Sequence, residues 1–174
     1  MRRLLLTASL ALAFAPVPAL AQAATASAPA AATASSGDTF NLSSVQALLA
    51  QGDAQAASGD LSGAIASYDK ARNAARSLLS FYRDLGGAFR GLDARIPRAM
   101  DAKGREAIEA LASANLRLAA AYRRQSQSEV AVPLLVEVVK LMTPAKPQGQ
   151  KAYQSLLELG FVETEFRGAS AAGQ

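Results

Sequence analysis

Ser67 and Lys70 stand one helical turn apart in Ser67-Tyr68-Asp69-Lys70. At that spacing a lysine amine can take the proton of a serine hydroxyl and turn it into a nucleophile. Acyl transfer by such a pair also needs Ser-Asp-Asn and Lys-Thr-Gly elements facing it, and neither tripeptide occurs in the 174 residues. Glu106 and Glu109, three apart, have the spacing of an acid–base pair or of two cation ligands. No second ligand cluster accompanies them, and a solvated helix face accounts for both. Gly86-Gly87 is too isolated to be read as a phosphate-binding loop. The chain has no cysteine and no histidine, which removes thiolate chemistry, the commonest metal ligand and the commonest general base near neutral pH. These residues assign no catalytic site, no metal and no cofactor, and the chain reads as a binding protein rather than an enzyme.

The elements that would position any site are helical. Alanine and leucine abound, aromatic residues make up 6% and tryptophan is absent, a balance that favours helices packed through small residues over a β-sandwich. A first helix is expected from Ser43, with Gln46 completing a capping box. Gly59 ends it, and Asp60 caps a second helix from Leu61, either continuous to Phe89 or broken near Ser77. Ile65, Tyr68, Ala71, Leu78, Leu79 and Tyr82 mark its buried stripe. Ile96-Pro97 places a connector over residues 91–100, because the residue before a proline avoids the helical region. Asp101 then caps a third helix ending at Arg124, which buries Ile108, Leu111, Leu118, Ala119 and Tyr122 with Asn115 in line. The next helix spans residues 128–142 and buries Ala131, Leu134, Leu135, Val138 and Met142. Its Pro133 is best accommodated if the start lies nearer Val130. A last helix over residues 150–159 ends at Gly160.

The chain's first residues read as an address. Met1-Arg2-Arg3 is a positive start, an apolar run follows from Leu4 to Val17, and a small-x-small pattern ends at Ala21, as in a signal peptide covering residues 1–21. Residues 22–42 read as a disordered Ala/Ser/Thr/Pro linker, residues 43–162 as the helical domain and residues 163–174 as a flexible tail. Without residues 1–21 the net charge falls from +4 to +2, with 16 basic and 14 acidic residues. The charge is uneven: residues 69–124 hold twelve bases against six acids, whereas residues 22–68 hold three acids and no base. In an exported chain such a basic middle points to an anionic surface, lipid or acidic polymer, and away from nucleic acid.

Two segments superimpose. Residues 59–71 give a glycine turn followed by Ala64, Tyr68 and Ala71 at small, aromatic and small positions, with Gly52 one helix earlier. Leu118, Ala119, Tyr122, Ala131 and, one place late, Pro144 repeat the pattern. The matching Ala64 and Ala131 lie 67 apart, one short of two roughly 34-residue periods. Over residues 44–144 the chain resembles the tetratricopeptide-repeat family, with two recognisable copies and a degenerate middle one in which Tyr82, Leu85, Gly86 and Phe89 resemble a first helix. Gln51, Gln55 and Asn115 depart from the pattern. Ile96-Pro97-Arg98 through Arg105, Ala114 to Ala119 and Val130 to Pro144 also resemble small exported repeat proteins of cyanobacteria and plastids, so the address implied is the periplasm or the thylakoid lumen.

The resemblance implies an all-α, short antiparallel stack of helical hairpins with a C-terminal packing helix. It also implies a protein-interaction scaffold that takes a peptide or helical segment of a partner on its inner surface. By position the partner-binding residues are Leu49, Asp53 and Ala56 in the first copy and Leu116, Ala120 and Arg123 in the second, with Arg117 and Arg124 available to acidic groups. No transmembrane helix is expected once residues 1–21 are removed, and so short a stack could also self-associate.

Overall fold

The computed structural model describes residues 40–166. The expected signal peptide, nearly all of the linker and the last eight residues of the tail lie outside them. Five helices follow one another: α1 (Leu42–Ala57), α2 (Leu61–Ala88), α3 (Arg95–Arg124), α4 (Ser128–Met142) and α5 (Pro147–Glu158). There is no strand among the described residues, so the protein is all-α in this region.

Each boundary has a local cause. Asn41, not Ser43, caps α1: its Oδ1 accepts from the Ser44 N–H at 2.8 Å and from the Ser43 hydroxyl. An amide oxygen one residue before the helix reaches orphan donors that Ser43, already inside it, does not. Gly59 turns the chain at φ 89°, and Asp60 Oδ1 accepts from the Gly63 N–H at 2.8 Å to open α2. α2 is continuous. Tyr82, Leu85 and Gly86, which resemble a first helix, therefore lie on the same helix as Ala64, Tyr68 and Ala71.

α3 begins at Arg95 rather than Asp101. Pro97 falls in its first turn, where a backbone N–H has no helical acceptor to lose, so the connector shrinks to the turn between α2 and α3. α4 keeps its full length from Ser128, leaving Pro133 inside the helix with the Glu129 carbonyl short of its usual donor. α5 opens with Pro147 at its first position, three residues before the expected start, for the same reason as α3. Gly160, at φ 76°, follows its end.

Successive helices pack side by side, and α3 also touches α1 and α5. α1, α3 and α5 thus share one layer, while α2 and α4 form a second, clasped by Arg72 and Arg76 of α2 on Glu137 of α4. The core runs between the layers through Val45, Tyr68, Leu78, Leu111, Leu118, Leu135 and Val138. Much of the remaining core is alanine, whose small side chain lets helix axes approach closely.

α2 and α3 outreach their neighbours. The Phe40 ring, just ahead of α1, meets Phe81 edge-on at 5.5 Å, so residues 82–88 extend past the start of α1. Gln148, at the start of α5, reaches the Glu109 carbonyl, so the first turns of α3 lie beyond α5 as well. The result is a two-helix arm about 10 Å long on its α2 side, at 1.5 Å per residue. A Cβ on buried Gly86 would come within 3.1 Å of Met100 Cβ, which is why the arm's two helices can lie together.

Candidate binding groove

Residues Ser113, Leu116, Arg117, Ala120 and Arg123 recur every three or four positions, and that spacing places them along one face of α3. Facing them, Gln148, Lys151 and Ser155 line α5. Between the two helices lies an open groove of about 540 Å³, floored by Ala119 and Leu135. A second hollow of about 420 Å³ lies between α1 and α3, bounded by Leu42, Gln46, Leu49, Glu106, Glu109 and Ala110. Both hollows share Ser113 and Gln148. Gln148 Nε2 donates to Ser113 Oγ at 2.8 Å, and this bond forms the saddle between them.

The residues expected at a partner surface divide in three. Leu116, Arg117, Ala120 and Arg123 line the larger groove, and Arg124 joins Ala120 and Arg123 around an adjoining hollow. Asp53 and Ala56 instead tie α1 to α3. Asp53 accepts from Arg117 Nε at 2.9 Å, and the Ala56 carbonyl accepts from Arg124. Leu49 is a core residue, 7% exposed, and shows only its edge to the second hollow. It lies one turn after Val45 on the face of α1 that packs inward, so apolar burial claims it.

The polar clasp at Asp53 was not legible beforehand. Tyr68 donates its hydroxyl to Asp53 Oδ1 at 2.8 Å, so α1, α2 and α3 meet at one carboxylate. Burial pushes that carboxyl up, but the hydrogen bonds from Arg117 and Tyr68 outweigh it and hold Asp53 below the usual range. Burial, reinforced by the Asp53 charge, pushes the Tyr68 phenol up to about 12. A second clasp joins Arg123 to Glu158 of α5 at 3.0 Å. Arg117 and Arg123 are therefore matched within the chain and brace the groove, leaving Lys151 and Arg124 as its cations without an ion pair among the described residues.

Along the hollows themselves the lining charge differs: exposed Glu106 and Glu109 border the second hollow, whereas Arg117, Arg123 and Lys151 line the larger groove.

Ser67 and Lys70 do not meet. The Ser67 hydroxyl is buried and donates to Gln55 Oε1 at 2.6 Å, while Lys70 is exposed. Among the described residues no group of three acidic side chains is placed to hold a metal ion, and no helix is long and apolar enough to cross a membrane. The chain matches no family model, curated protein or solved structure.

Proposed function

We propose that the chain is an exported interaction module of the tetratricopeptide type, which docks a segment of a partner protein along the inner layer formed by α1, α3 and α5. The observation that carries this reading is the continuous surface made by the two hollows, with Glu106 and Glu109 at one end and Lys151 and Arg124 at the other. A partner helix or extended segment with basic residues toward the first end and acidic residues toward the second meets complementary charge throughout. Small side chains at Ala119 and Ala120 leave room for its apolar residues. The register of small and aromatic residues at Gly52, Ala64, Tyr68 and Ala131 supports the same class.

A photo-crosslinking amino acid at Ala120, in the groove, tests this against one at Ser77, exposed on α2 in the other layer. The expected result is a discrete covalent adduct from the exported fraction at Ala120 alone, lost when Glu106 and Glu109 are both replaced by lysine. Equal capture at the two positions, or an adduct indifferent to the charge reversal, would remove the reading.

A further inference from the structure

The arm, residues 82–88 of α2 with the first turns of α3 as far as Arg105, contributes no residue to either hollow. Its end is the turn between the helices, where Leu92 is 80% exposed, the most exposed of the large apolar side chains among the described residues. A single exposed leucine is ordinary on a protein surface; what singles this one out is the charge carried by the same arm. Around it the arm carries Arg83, Arg90, Arg98, Lys103 and Arg105, all exposed, and none has an ion-pair partner among the described residues. Arg95 is neutralised by Asp93 at 2.8 Å, and the remaining arm acids are Asp84 and Asp101. The arm therefore keeps a net positive charge, with Arg90 two residues before the apolar tip, Arg98 in the first turns of α3, and Arg83, Lys103 and Arg105 further along its flanks.

From this juxtaposition we infer that the arm is a membrane-docking finger, which seats Leu92 among the acyl chains of an anionic bilayer while the arginines hold the headgroup phosphates. The pairing of one apolar tip with unpaired cations discriminates between occupants. A soluble acidic polymer would be gripped by the cations alone and would gain nothing from Leu92, whereas a bilayer offers an apolar layer directly beneath a negative surface. Arginine and lysine stems reach along that boundary and keep their charge at the headgroups.

The test is flotation of the full chain with phosphatidylcholine vesicles, with and without phosphatidylglycerol, at low and at physiological salt. Binding that depends on the anionic lipid and weakens with salt is expected. Leu92→Ser should weaken the anionic-lipid-dependent part about tenfold, the scale of losing one buried leucine. Arg90→Gln with Arg98→Gln should weaken it about 25-fold, at about fivefold per cation. Circular dichroism should be unchanged in both variants, because all three side chains are exposed. Unaltered vesicle binding by either variant overturns the inference. So does heparin binding that survives Leu92→Ser in a chain that ignores anionic vesicles, which would make the ligand a polymer.

Discussion

The ring of Tyr68 lies so close over Gly52 that a Cβ there would stand 2.6 Å from its Cδ1. This contact sets the approach of α1 to α2, and the ring cannot swing clear without giving up the hydroxyl bond to Asp53. Gly52→Ala would ordinarily gain about 1 kcal/mol in helix propensity. Here the overlap should outweigh that gain and leave a net loss of about 1–2 kcal/mol, read as a lower urea midpoint at unchanged slope.

Tyr68→Phe separates the ring from its hydroxyl. At neutral pH it should cost about 1 kcal/mol, the worth of one hydrogen bond. The alkaline side is more diagnostic. The folded phenol titrates near 12 against an ordinary value of 10, so the unfolded chain loses this proton first and stability falls as pH rises from about 10 to 12. The Phe variant lacks that component, and its urea midpoint should approach that of the parent chain across this interval.

Gly59-Asp60, Gly160 and the buried stripe of α4 could be read from the sequence, because each is fixed by interactions within one or two turns. Gly52 was legible as a small position through the repeat pattern alone, because the Tyr68 ring that requires it lies on another helix. The start of α3 was not: a proline disfavours helix before itself, yet in a first turn it costs no hydrogen bond, and local sequence does not distinguish the two cases. Leu49 serves both ends of that reading: packing buries it to 7% exposure, yet its edge still borders the second hollow, and positional resemblance alone does not show the first. The clasps were beyond reach. Asp53 and Arg117 stand 64 residues apart and Arg76 and Glu137 stand 61 apart, and no periodicity links charges at such distances.

Glu137 of α4 accepts from Arg76 Nη2 at 2.7 Å and from Arg72 Nη2 at 3.1 Å, the ion pairs that join the outer layer. Burial raises its carboxyl, but the two arginines prevail and hold it below its ordinary 4.5. The stability it contributes is therefore complete above about pH 4.5 and is lost as pH falls through the lower folded value. Glu137→Gln should cost about 1–2 kcal/mol at neutral pH, between an exposed and a buried pair. It should also flatten the acid limb of the stability curve, as followed by urea titration at successive pH values.

Asn115 sits in the middle of α3 at 0% exposure, and neither its Nδ2 nor its Oδ1 has a hydrogen-bond partner among the described residues. A buried amide in that condition forfeits its hydration without return. Asn115→Ala removes both orphaned atoms and supplies a better helix former, against the loss of a few packed atoms in a core already rich in alanine. The balance favours the variant by about 1 kcal/mol, so its thermal midpoint should rise. A fall instead would mean that the amide is satisfied by a polar group entering between the helices, and Asn115→Asp would then report that group through a stability that depends steeply on pH.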